Sequence, residues 1–278
     1  MESELIEQVR AELTEERSKS LTDSDVWRFV VARKKNISKA VAMINHFCDW
    51  NDKILPGSDT LTPSNCLDTI DQDEHIYRQY FPFSNLGHSL KGCPIYWEKT
   101  GICSTNFHSV NKSISVDGLL IRHIRQQEYV FRERCERASK YYGKEISKQL
   151  LVFDLQGLSY HMDTHAISTF RQTMTIDQAY YPERLDHLIM INAPWFFTAI
   201  YAMLKPFIDP ITAEKILIIG HDYLPTLHKF IDESQIPVEL GGKRTDVAWS
   251  FPENRSLDCD EVMACACPTT PPTAQHSS

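Results

Sequence analysis

The chain has 278 residues, 42% hydrophobic and 24% charged. That is ordinary usage for one large folded domain or one with a smaller appendage, and it excludes a disordered or fibrous chain. The 29 Lys and Arg against 37 Asp and Glu leave a formal charge of -8, which excludes the bulk cationic field of a non-specific nucleic-acid binder, so no nucleic acid is expected as a partner.

At the start, Met1-Glu2-Ser3-Glu4-Leu5-Ile6-Glu7 carries acids where a secretory signal carries basic residues and then an apolar run. A cytoplasmic, reducing setting is therefore expected, with the 8 Cys as free thiols. Cys48, Cys93 and Cys135 read as small buried hydrophobes, and Cys259, Cys265 and Cys267 lack a C-x-x-C step and a paired His, so no metal site is expected.

Residues 3 to 50 read as helices. Asp23 or Ser24 is placed to cap a segment holding Val26, Trp27, Phe29, Val30 and Val31, and Ser38 to cap one in which Val41, Met43, Ile44 and Phe47 recur at helical spacing. Pro, Gly, Ser and Thr then mark a loop at 55 to 65, followed by a short acidic helix near Asp71 to Phe81. Pro94 to Lys99 reads as a strand. A long helix over 115 to 142 has an apolar face and a second face with Arg122, Arg125, Arg132, Arg134 and Arg137 among acids. That face reads either as solvated or as a membrane or partner surface.

From residue 149 short apolar runs alternate with helices: strands at 150 to 155, 188 to 192 and 215 to 219, and helices at 164 to 180, 194 to 208 and 224 to 232. This order predicts parallel strands joined by crossover helices. Pro268, Pro271 and Pro272 among Thr, Ala and Ser predict disorder from about residue 260.

The helix from Pro194 to Ile208 has only Thr198 and Lys205 as plainly polar residues, so it must be hidden from water on most sides. At 1.5 Å per residue it spans roughly 22 Å, short of a bilayer core. It is either a central core helix or one with a face on the sheet and the other on an apolar cavity or a membrane. Gly157-Leu158-Ser159-Tyr160-His161 has the outline of a nucleophile elbow, with His221 and His228 as distant bases, but His161 fills the position where a small residue permits the turn. Phosphate-loop, dinucleotide and zinc-protease motifs are absent.

Trp27-Arg28-Phe29-Val30-Val31-Ala32-Arg33-Lys34, Cys93-Pro94-Ile95-Tyr96, Phe153-Asp154-Leu155-Gln156-Gly157-Leu158, Tyr181-Pro182-Glu183-Arg184-Leu185, Ile191-Asn192-Ala193-Pro194-Trp195, Lys205-Pro206-Phe207-Ile208-Asp209-Pro210-Ile211-Thr212 and Ile236-Pro237-Val238-Glu239-Leu240-Gly241-Gly242 resemble, in order, the successive motifs of the CRAL-TRIO lipid-binding family. The likeness runs over about residues 20 to 244.

The resemblance implies an α/β fold: a mixed, largely parallel sheet flooring an apolar lipid pocket closed by a gate helix, with an N-terminal all-helical lobe. The corresponding organisation is a lobe over 1–80, a lipid-binding domain over 81–245 and a tail over 246–278. It implies a cytosolic, non-enzymatic carrier of a hydrophobic ligand with no cofactor besides the bound lipid, engaging membranes transiently and peripherally. About 30 acyl methylenes, at roughly 0.8 kcal/mol each, would cost on the order of 25 kcal/mol to expose to water, which is the physical need for such a pocket. The gate and pocket residues implied are Trp195, Phe196, Phe197, Ile200, Tyr201, Met203, Leu204 and Phe207.

Ligands in the family include phosphatidylinositol, phosphatidylcholine, tocopherol, retinoids and squalene. By motif match the phosphoinositide headgroup residues are Arg33, Glu183, Thr212 and Lys215, and a cation with a hydroxyl suits phosphate while a carboxylate suits inositol hydroxyls. Phosphatidylinositol is therefore the expected ligand. Two hydroxyl residues of phosphatidylcholine-binding members are replaced at positions read as Lys148 and Leu150. The alternatives are an isoprenoid carrier, or a lipid-sensing scaffold that recruits a protein through its Arg-rich helix.

Overall fold

Thr22 and Asp25 close a reciprocal cap, the Thr22 hydroxyl accepting from Asp25 N (3.1 Å) and the Asp25 carboxylate from Thr22 N (3.2 Å), which satisfies two donors that a helix start otherwise leaves open. The cap is thus Thr22, not Asp23 or Ser24, and the next helix is capped by Asn36, not Ser38. These caps begin α3 (Asp23–Ala32) and α4 (Ile37–Asn51), which follow α1 (Glu2–Glu12) and α2 (Glu15–Ser20). Val9, Val26, Phe29, Val30, Ala40 and Ile44 interlock between α1, α3 and α4 as the lobe's own apolar core. The computed structural model describes residues 2–68, 76–77, 80–102, 113–160, 164–247 and 249. Most of the acidic helix expected near 71 to 81, together with His161, the tail cysteines and the expected disordered end, lies outside them.

Five strands follow: β1 (Phe83–Ser84), β2 (Ile95–Glu98), β3 (Gln149–Asp154), β4 (Leu185–Ile191) and β5 (Ile216–Ile218). They lie side by side in chain order, β1 antiparallel to β2 and the rest parallel. When parallel strands step steadily in one direction, right-handed crossovers deliver all their helices to the same face. Those helices are α5 (Val116–Glu128), continued by a wide π turn (Tyr129–Arg134) into α6 (Cys135–Tyr142), then α7 (Thr164–Tyr180), α8 (Phe197–Leu204) and the single turn α9 (Pro210–Ala213). The opposite face is covered by the chain from α10 (Leu224–Leu227) to Leu240.

The two faces are packed differently. Ile95, Trp97, Leu150, Val152, Ile189 and Ile191 share one face by register and are at most 1% exposed, sealed by Leu227, Ile231, Ile236 and Leu240. On the other face of the same central strands, Leu151, Phe153, Leu188 and Met190 are only half-buried. No residue from 165 to 180 of α7 is fully buried either, although Ile167, Phe170 and Met174 are apolar. Apolar side chains in central strands that retain accessible surface under a layer of helices are less tightly covered than those of the sealed face, which leaves this side the more open one. Leu150, read above as one of the two replaced hydroxyl positions, belongs to the closed face and does not front the more open side.

The Arg-rich face is solvated only in part: Arg132 is exposed and Arg137 half-buried. Arg122, Arg125 and Arg134 are buried, as is Glu128. The Arg122 guanidinium stacks on Tyr77 and Phe83 (4.6 and 4.7 Å). Arg134 donates to the carbonyls of Ile95 (2.9 Å) and Gly87 (3.2 Å), and burial pushes its guanidinium down to about 10. The two arginines with an acid four residues away, Arg132 and Arg137, are the more exposed ones, and the three without, Arg122, Arg125 and Arg134, are buried. The four described cysteines, Cys48, Cys66, Cys93 and Cys135, are free thiols, with Cys48 half-buried.

Candidate functional site

Parallel strands share one amino edge, and three adjacent strands here begin next to a charged residue. Lys148 precedes β3, Glu183 lies two residues before β4, and Lys215 precedes β5. Lys215 Nζ donates to Glu183 Oε2 at 3.2 Å, and Lys148 Nζ stands 3.8 Å from the same oxygen. One carboxylate between two ammonium groups leaves a net charge of +1. Glu183 adopts a φ of 59°, a left-handed conformation that costs a non-glycine residue about 1–3 kcal/mol and persists only where its surroundings impose it.

Of the four residues matched by motif, the fold joins three. Lys215 N donates to Thr212 O at 3.0 Å, so Thr212, in a turn capped by the Asp209 carboxylate, is tied to the Lys215–Glu183 pair. Arg33 sits exposed after α3, and no described side-chain contact joins it to the others. Lys148, matched above to a hydroxyl position of other family members, is a cation of this row. The available signal was its place before an apolar run, the same place that Lys215 holds.

The apolar helix is shorter than expected and is not hidden all round. Pro194-Trp195-Phe196 forms a turn, and α8 begins at Phe197. Pro206 has no N–H to donate to Ala202, so the end tightens into a 3-10 turn, Lys205–Phe207. Phe197, Ile200 and Leu204 are buried against Leu155, Leu158, Phe170, Met190 and Ile218, with Phe196, Tyr201 and Phe207 half-buried. Trp195 is 87% and Met203 53% exposed. The helix therefore lays one apolar face over the open side of the sheet and turns another outward. Trp195 and Tyr160 flank Phe196 edge to face (5.7 and 5.3 Å). Among the described residues no helix is long and apolar enough to cross a membrane, and no His, Cys, Asp and Glu group could hold a metal ion.

A polar cavity of about 680 Å³ lies elsewhere, in the seam between the lobe and the sheet domain, lined by Asp25, Arg28, Glu128, Arg132, Tyr181 and Arg184 among others. Arg28 and Arg184 share the carboxylate of Asp25 (3.4 and 2.9 Å). Burial and the like charge of Arg184 lower the Arg28 guanidinium to about 9. Burial pulls the Asp25 carboxyl upward, but the two guanidiniums and its bonds with Thr22 outweigh it and hold it below 3.8. Glu128 accepts from the Tyr181 hydroxyl (2.6 Å) and pairs with Arg132 (2.6 Å), yet burial dominates and its carboxyl is raised. Arg28, Glu128 and Arg184 are each paired in this seam, although Arg184 Nε and Asn51 Oδ1 are buried without a hydrogen-bond partner among the described residues, and the seam reads as a joint between two units.

Comparison with known proteins places these features in context. The CRAL/TRIO domain model matches residues 78–242. The SEC14 cytosolic factor of Eremothecium gossypii is 31% identical over 231 residues, covering 81% of this chain and 71% of the relative. The phosphatidylinositol/phosphatidylcholine transfer protein SFH7 of Arabidopsis thaliana is 29% identical, covering 77% of this chain and 38% of the relative. The crystal structure of Sfh5 superposes with a TM-score of 0.67 at 18% identity, covering 87% of this chain and 78% of that one, a likeness of fold.

Proposed function

The chain belongs to the CRAL-TRIO family, and from that premise we propose that it is a non-catalytic carrier that binds phosphatidylinositol and moves it between membranes. The observation that carries this reading is the row Lys148, Glu183 and Lys215, with Thr212 tied to it, at one edge of a sheet whose neighbouring face is left apolar and open. A net charge of +1 balances the single negative charge of a phosphodiester, and the carboxylate accepts from inositol hydroxyls. The name of the plant relative, a phosphatidylinositol/phosphatidylcholine transfer protein, supports a phospholipid ligand of this class. The bound lipid is the only ligand the reading requires, and the protein works in the cytoplasm, touching membranes peripherally.

Lipid extracted from the purified protein and identified by mass spectrometry tests the proposal, with transfer between vesicles as the second measurement. Phosphatidylinositol is the expected ligand. Recovery of a tocopherol, retinoid or squalene would reject the headgroup assignment, and recovery of no lipid together with no transfer would reject the carrier.

Trp195, in the turn before α8, and Met203, exposed on α8, are the groups that meet the bilayer when the gate opens. Burying an aromatic side chain in the interface contributes about 1–2 kcal/mol. Trp195→Ser is therefore expected to slow vesicle-to-vesicle transfer of every ligand about tenfold and to leave the amount of lipid bound at equilibrium unchanged, as a stopped-flow transfer assay would show.

A further inference from the structure

The turn that carries Glu183 is held from outside the lipid-binding domain. Arg28 of α3 donates to the carbonyl of Tyr180 at 2.9 Å, and Trp50 of α4 lies flat on the Tyr180 ring, 3.9 Å between centroids and 5° between planes. On the other side of Glu183, Arg184 donates to Asp25 of α3 at 2.9 Å. Arg184 also donates to the carbonyl of Ser147 (3.2 Å), next to Lys148, and its own carbonyl accepts from Gln149 N (2.9 Å). The helical lobe thus grips the chain three residues before Glu183 and one residue after it, and the same guanidinium ties that grip to the start of β3. With Pro182 also fixing φ immediately before it, the left-handed Glu183 is determined from both directions.

We propose that the helical lobe is a specificity element of the headgroup site: through Asp25, Arg28 and Trp50 it fixes the turn that presents Glu183 between Lys148 and Lys215, and so selects an inositol phospholipid over other hydrophobic ligands. This rests on the headgroup reading above. The three are positioning residues, acting through Tyr180 and Arg184, and none of them is among the residues packed on the open face under α8. Loosening the grip displaces a carboxylate and leaves the apolar floor as it was, so the expected loss is of selectivity and not of capacity.

The test incubates the full chain with phosphatidylcholine vesicles containing phosphatidylinositol and tocopherol, reisolates the protein and measures each bound lipid. Asp25→Asn removes the carboxylate shared by Arg28 and Arg184. Because that leaves the buried Arg28 and the half-buried Arg184 without their shared carboxylate and could unfold the lobe, Trp50→Leu, which keeps every charge, is measured beside it. In both variants the phosphatidylinositol share of bound lipid is expected to fall about fivefold, with total lipid within about twofold of the parent. Glu183→Gln serves as the reference. If Glu183→Gln loses the preference and both seam variants keep it, the lobe is no specificity element. If Glu183→Gln itself keeps the parent's preference, the headgroup reading falls and the inference with it.

Discussion

Lys215→Ala is expected to lower phosphatidylinositol binding between about 10-fold and 100-fold while an uncharged ligand such as tocopherol binds as before. The magnitude follows from the environment of the ammonium group. Lys215 is four-fifths shielded from solvent, with its Nζ held at 3.2 Å by Glu183, so it is already oriented and partly desolvated before a ligand arrives. A hydrogen bond to a charged group in such a setting contributes about 1.5–3 kcal/mol, which is that range in affinity. Removing the lysine also leaves Glu183 with Lys148 alone at 3.8 Å, and the row drops from +1 to neutral, so a phosphodiester meets no excess positive charge. Equal loss for phosphatidylinositol and tocopherol in a vesicle-uptake assay would mean that the substitution damaged the fold, and no loss for either would remove Lys215 from the site.

The second large effect is on stability. Arg134→Met is expected to lower the unfolding free energy by about 2–4 kcal/mol, read as a lower urea midpoint with an unchanged slope. Methionine keeps most of the side-chain volume, so the cost is polar. The carbonyls of Ile95 and Gly87, which now accept from Arg134, are left buried without that donor at about 1–3 kcal/mol each, partly offset because a desolvated guanidinium no longer has to be buried. Arg137→Met, one turn along the same helix, removes a half-exposed pair with Glu133 (3.2 Å) and is expected to cost less than about 1 kcal/mol. Similar costs at the two positions would contradict the buried role given to Arg134.

Arg134 and Arg137 also show where reading the chain residue by residue stops. Both belong to one charged stretch, but only Arg137 has an acid four residues away, Glu133, while Val130 and Ala138 stand at those places around Arg134; neither spacing says what lies opposite. Arg134 meets the backbone beside β2 because α5 and α6 cross between β2 and β3. That is a fact of topology, and the wide turn at Tyr129–Arg134 changes which way the following side chains point. Of the residues matched by motif, Glu183, Thr212 and Lys215 stand together in the fold and Arg33 stands apart. The place of Lys148 in the row was not legible, because it comes from standing beside Glu183 across a parallel pair, and neighbours of that kind lie some 35 residues apart in the chain.

The apolar helix divides in the same way. Its apolar composition and the two prolines that limit it are written in residues 194 to 208, and they require shelter from water on at least one side. Which side is sheltered is settled only when Phe197, Ile200 and Leu204 find Met190 and Ile218 beneath them and Trp195 is left outside.

Local pattern determined the elements, their order and the parallel sheet of this protein, since helical spacing, capping residues and short β-branched runs act over a few residues. Tertiary structure decided which face of the sheet is sealed, which arginines are buried and how the lobe holds the Glu183 turn. These depend on what is brought opposite a side chain, and burial and charge pairing are properties of that meeting and not of the residue alone.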